Sequence, residues 1–159
     1  MPTKTISAEK LYYNSFKPYR AMVEGLLPRG LTVLAGTSKI GKSWMMLLLA
    51  VCIATGQDFL GHPVKQGKVL YLSLEDTYVR IQKRLFNLTN EVGHGRILLS
   101  IQSGTLDDGL MEQLEHALEK HPDINVIIID TLQLIRGNDK EVSYANDYAD
   151  VTILKEFCR

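Results

Sequence analysis

Residues 31–55 read LTVLAGTSKIGKSWMMLLLAVCIAT, a short aliphatic and β-branched run, a glycine-bearing loop, and a long apolar segment with good helix formers. The loop consists of Gly36, Thr37, Ser38, Lys39, Ile40, Gly41, Lys42 and Ser43, which fits G-x-x-x-x-G-K-[ST]. Each fixed position has a physical task. Glycines let the backbone curl with its N–H groups inward, Lys42 reaches the β- and γ-phosphates of a nucleotide, and the Ser43 hydroxyl can ligate Mg²⁺. The unpaired N–H groups and dipole of the following helix add to the attraction for an anion. Residues 31–35 have the length and composition of a strand, so the order strand, loop, helix that a phosphate cradle requires is expected here.

Working outward, 159 residues suit a single domain with a sizeable core. Eighteen basic against eighteen acidic residues leave no net charge, so the bulk balance gives no sign of nucleic acid, although a local basic patch is compatible with it. The apolar run from Trp44 to Ala54 is too short to span a bilayer. The start, MPTKTISAEK, lacks the apolar core of a secretory signal, which makes the cytoplasm the default expectation. Cys52 and Cys158 lie far apart, and His62, His94, His116 and His121 are scattered. None has metal-ligand spacing, and Cys52 reads as a buried thiol inside the apolar helix.

Residues 1–30 form an entry arm punctuated by Pro18, Pro28 and Gly30; it is expected to pack beside the core, with Tyr19 or Arg20 candidates to face a nucleotide base. Beyond the loop helix, Gly56 stops the helix and Gly61, Pro63 and Gly67 mark a connection. Residues 68–74, KVLYLSL, are nearly continuous in apolar character, as in a parallel strand covered on both faces. Glu75 and Asp76 follow, and residues 78–91 read as a helix that Asp76 or Thr77 would cap. A strand over 96–101, a helix over 106–120 and a strand over 125–129 ending in Asp130 complete the pattern. Alternation of this kind predicts a parallel sheet with helices on both faces. In such sheets ligands bind beyond the C-terminal strand ends, where Glu75 and Asp130 fall. Asp130 suits the Mg²⁺-side acid of a phosphate-loop protein. Glu75, the first acid off its strand and the longer of the pair, is the candidate catalytic base that activates water.

Taken together, the phrases LTVLAGTSKIGKSWMMLLLAVCIATGQDFLG, GKVLYLSLEDT and NVIIIDTLQLI resemble the RecA-like P-loop ATPase core, most closely its RepA-type branch of hexameric replicative helicases and their AAA_25-like relatives. The resemblance spans roughly residues 20–157. It implies a three-layer α/β/α fold over 31–159, with residues 36–43 as Walker A, Glu75 as the catalytic glutamate and Asp130 as the Walker B acid. ATP and Mg²⁺ are the implied cofactors, a hexameric ring the implied assembly, and single-stranded DNA a possible partner. The family's mobile acidic loop would correspond to residues 137–147, making Arg136, Lys140 and Tyr144 the nearest DNA-facing candidates by charge and stacking, against a solvated loop with a helix N-terminus.

RecA-like cores also place a later strand between the Walker A and Walker B strands, and the chain stops at Arg159, before it. The fold is therefore expected to be truncated at its C-terminus, with residues 31–35 and 126–129 not hydrogen-bonded to one another and with weak or no turnover by the isolated chain. The expected function is MgATP binding, with hydrolysis in the complete protein serving DNA replication or mobile-element maintenance. Two alternatives stand beside it: a nucleotide-binding regulatory module without turnover, and a P-loop small-molecule kinase. The kinase is disfavoured by the lack of an arginine-rich lid and by the long separation between the two Walker elements.

Overall fold

The computed structural model describes residues 5–16, 21–136 and 144–158, with side chains from residue 148 onward in the last stretch. In chain order the elements are α1 (Ala8–Tyr12), α2 (Lys42–Thr55), β1 (Lys68–Ser73), α3 (Tyr78–Leu88), β2 (Ile97–Ser100), α4 (Leu110–Lys120), β3 (Ile124–Asp130), a 3-10 turn (Leu132–Ile135) and α5 (Tyr144–Phe157). Among the described residues the sheet has three strands in the order β2-β1-β3, all parallel. The central strand β1 is buried almost end to end, which is why its sequence runs apolar without alternation.

Successive side chains of β1 point to opposite faces and build two cores. Val69 and Tyr71 join Ile128 of β3, Ile81 of α3 and the apolar body of α2. Leu70 and Leu72 join Leu110 and Leu114 of α4, Ile135 of the 3-10 turn and Leu154 of α5. Helices α2 and α3 therefore cover one face and α4 and α5 the other, the three-layer α/β arrangement expected from the sequence. Helix α2 buries Leu47, Leu49, Ala50, Val51, Cys52, Ile53 and Ala54. Its second half is apolar all round, the mark of a helix enclosed by protein rather than lying on a surface. Gly56 ends it in the left-handed conformation at φ 78°, its N–H returning to the Cys52 carbonyl at 2.8 Å.

The arm divides. Helix α1 buries nothing, whereas Val23 is fully buried and bonded into the loop before β1: Glu24 N–H reaches Pro63 O at 3.0 Å and Lys65 N–H reaches Met22 O at 2.9 Å. Tyr19 and Arg20 lie outside the described residues.

Residues 31–35 depart from expectation. They carry no regular secondary structure and join no ladder with the described residues. Only Leu31 packs on a core, and Val33 is 58 % exposed. A strand exists by virtue of a hydrogen-bonded neighbour, and β-branched composition does not supply one. Among the described residues no ladder joins this segment to β3, whose ladder partner is β1. A cleft of about 410 Å³, lined by Leu31, Val33, Val151, Lys155 and Cys158 among others, lies on the α5 side of the segment.

Smaller shifts have local causes. Helix α3 ends at Leu88 rather than 91 because Thr89 is extended, with its hydroxyl donating to Glu91 O. Helix α4 begins at Leu110 rather than 106 because Thr105 and Asp108 exchange backbone hydrogen bonds in a turn and Gly109 follows at φ 78°. Strand β2 is shorter than expected by one residue at each end, and β3 starts one residue earlier.

Candidate functional site

The glycine loop runs directly into α2, whose first helical residue is Lys42. Gly41, the residue before it, sits at φ 99°, a left-handed conformation that side chains resist, and Lys39 is also left-handed at φ 62°. Gly36 is not in that region, and a Cβ there would meet Ile40 and Lys42 only at ordinary contact distances. The curl of the loop is thus made at Lys39 and Gly41. The first intrahelical bond goes from Met45 N–H to Gly41 O at 3.0 Å, which leaves the preceding N–H groups at the loop end available to an anion.

Lys42 folds back over the loop it follows. Its ammonium donates to Gly36 O at 2.7 Å and Thr37 O at 2.8 Å. Three donors and no acceptor make this group a natural clasp for carbonyls, and the same donors match phosphate oxygens. The charge is therefore held at the loop mouth.

Sheet register sets the rest. Ser73 of β1 pairs with Asp130 of β3, and Leu74 N–H donates to Asp130 O at 2.8 Å. The loop carrying Glu75 and Asp76 consequently leaves the sheet beside Asp130, at the C-terminal edge and next to the start of α2. Asp130 faces the α2 side, the face it shares with Ile128. There the Tyr71 hydroxyl donates to Asp130 Oδ2 at 2.9 Å and lies 3.4 Å from the Ser43 carbonyl oxygen. Burial, and then the negative charge of Asp130, push the Tyr71 phenol far above its ordinary range.

The adjacent acids are treated oppositely. Asp76 has a side chain only 6 % exposed, bound by Arg80 Nε at 3.1 Å and an Arg84 terminal nitrogen at 2.5 Å, and it also accepts from Thr77 N–H at 3.0 Å. Arg84 in turn lies over the ring of Trp44, 5.5 Å from its centroid, tying α3 to the first turn of α2. The helix cap itself is Thr77, whose hydroxyl accepts from Arg80 N–H at 3.3 Å. Glu75 is exposed, and among the described residues no hydrogen bond or ion pair holds it. Asp76 is a structural anchor, and Glu75 is the acid left available.

The donor set suits MgATP. Lys42 and the loop N–H groups are cationic or proton-donating, as phosphates require. The Ser43 hydroxyl and Asp130 carboxylate are hard oxygen donors on one face of the sheet, as Mg²⁺ prefers. No group of His, Cys, Asp and Glu able to hold a metal by itself occurs among the described residues.

A family model described as an AAA domain, AAA_25, matches residues 3–159. The chain belongs to that family. No curated protein matches it. Membership makes this a P-loop ATPase-like domain. Among the described residues of this AAA domain, no helix is long and apolar enough to cross a membrane.

Arg136 does not extend into solvent. Its Nε donates to Asp150 Oδ2 at 2.6 Å, and Asp150 is fully buried. Lys140 and the side chain of Tyr144 lie outside the described residues. Sequence reading missed Tyr71, which looks like one more apolar residue of KVLYLS. Its hydroxyl is the only polar tip in the middle of that strand, a signal that acquires meaning only with the β1–β3 register. It also missed Arg84 and Trp44, whose meeting depends on how α3 lies against α2.

Proposed function

We propose that this AAA domain binds MgATP, with residues 36–43 around the phosphates, Lys42 on the β- and γ-phosphates, and Ser43 and Asp130 on the metal side. Bound Mg²⁺ would neutralise charge on the phosphates. Glu75 is the base that orients and deprotonates the attacking water. The observation that carries the reading is the Ser73–Asp130 register, which sets the acid of β3 and the Glu75 loop together beside the loop end of α2. The Arg80 and Arg84 clasp on Asp76 supports the choice of Glu75, because an acid tied into two ion pairs is poorly placed to accept a proton.

The finer reading is a RepA-like helicase ATPase that acts as a hexameric ring on single-stranded DNA in replication or mobile-element maintenance, in the cytoplasm. It rests on the resemblance of the three motif phrases. Of the loop it assigns to DNA, residues 137–147, residues 137–143 lie outside the described residues and the backbone from Tyr144 onward belongs to α5, and the Asp150 pair holds Arg136 away from that task.

Calorimetric titration with ATP, followed by phosphate release with and without single-stranded DNA, tests the proposal. Wild type should bind ATP, and release by an active assembly should be abolished by Glu75→Gln with binding retained. Binding without release under any condition would favour a regulatory module. Phosphate transfer to a small molecule would favour a kinase. Failure to bind ATP would overturn the nucleotide reading.

A further inference from the structure

Tyr71 lies in the centre of the buried strand, 2 % exposed, with its ring in the core beneath α2. An aromatic ring there needs no hydroxyl to fill space, yet the hydroxyl is present and occupied. It is 2.9 Å from Asp130 Oδ2 and 3.4 Å from the Ser43 carbonyl. A phenol has one proton to give. The shorter contact goes to a carboxylate, and a charge-assisted bond is the stronger, so Asp130 receives it. Register permits the contact. Tyr71 pairs with Ile128, and Asp130 stands two residues further along β3 on the same face, a span the long tyrosine side chain covers.

We propose that Tyr71 is a positioning residue for the metal side of the site: its hydroxyl fixes the Asp130 carboxylate through one oxygen and sets that carboxylate against the first turn of α2, where Ser43 lies. This inference rests on the nucleotide reading above. A free aspartate can rotate its carboxylate, and rotation would carry the oxygens away from an ion held between β3 and α2. With Oδ2 engaged by the phenol, rotation is restrained and Oδ1 has no described partner. The same phenolic oxygen borders the Ser43 carbonyl, so one buried atom relates the two chain segments that supply metal-side oxygens. Groups that hold a ligand in place commonly matter to metal affinity nearly as much as the ligand itself.

The test is Mg²⁺ linkage, which needs no turnover. ATP affinity is measured by calorimetry in EDTA and then across a Mg²⁺ titration, for wild type and Tyr71→Phe. The variant should keep metal-free ATP affinity within about twofold while needing about tenfold more Mg²⁺ to reach half of the metal-dependent gain. In an Asp130→Asn background Tyr71→Phe should add nothing to the Mg²⁺ requirement. An unchanged Mg²⁺ requirement in Tyr71→Phe, whether or not its melting temperature falls, would overturn the inference and leave the nucleotide reading intact. No ATP binding by wild type, with or without Mg²⁺, would overturn both. Should Tyr71→Phe not fold, wild type carrying 3-fluorotyrosine supplies the answer. The most solvent-shielded ¹⁹F resonance should move when Mg²⁺ is added to the ATP complex, and a stationary one would overturn the inference.

Discussion

The glycine loop at residues 36–43 is entered and left by two apolar segments with opposite fates. Residues 31–35 enter it largely exposed and unpaired with any described strand, while α2 leaves it with seven buried residues and a second half enclosed on all sides. The loop is thus anchored from one end. What fixes its place is the helix that follows and the β1 and β3 side chains beneath that helix, not the run that precedes it. Composition alone would have ranked both segments as core.

The largest expected effect lies on the anchored side. Ile53→Ala removes a fully buried side chain from the α2 core and should lower unfolding free energy by about 2–5 kcal/mol. Val33→Ser on the entering side should change it by no more than about 0.5 kcal/mol. Urea unfolding of both variants measures the contrast, and equal losses would erase it.

Between the two segments, Lys42→Ala removes the ammonium from the loop mouth. The loss in ATP binding should be about 2–4 kcal/mol, given a desolvated charge-assisted contact to phosphate. Calorimetry checks it, with circular dichroism to establish that the fold persists. Unaltered affinity in a folded variant would show that the loop is not the phosphate cradle.

The neighbouring acids carry the same contrast at smaller scale. Asp76→Asn weakens two ion pairs at a mostly buried carboxylate and should cost about 1–3 kcal/mol of stability after allowance for the exposed Arg80. Glu75→Gln should cost under about 0.5 kcal/mol yet abolish phosphate release by an active assembly. If Asp76→Asn alone stopped release without loss of stability, the roles of the two acids would be reversed.

The smallest effect concerns the pair of the mostly covered Lys68 with the exposed Asp123 at the N-terminal edge of the sheet. The hydrogen bond from Lys68 holds the Asp123 carboxyl below its ordinary range. A carboxyl depressed in the folded state stabilises above its unfolded pKa, and that contribution fades as pH falls through the folded value. The melting temperature of wild type should exceed that of Asp123→Asn slightly near neutral pH, and the two should converge in acid. A gap that widens in acid would contradict the sign.

Much of this was legible in the residues because it is local. The loop signature, the glycine that ends α2, the continuous apolar β1 and the acid ending β3 depend on short-range backbone and burial rules, and the family follows from their combination. Boundaries failed where a turn intruded, as at Thr105 and Asp108 before α4. Three matters needed the tertiary structure. A strand requires a neighbour, so the fate of residues 31–35 depended on what lies beside them. Sequence position and side-chain length favour Glu75 over Asp76, but only the closing of the helix that carries Arg80 and Arg84 on Asp76 separates their roles physically. Tyr71 is an ordinary core aromatic until the parallel register of β1 and β3 brings its hydroxyl to Asp130, because contacts between distant segments are set by how strands align and helices pack, and no local pattern encodes that.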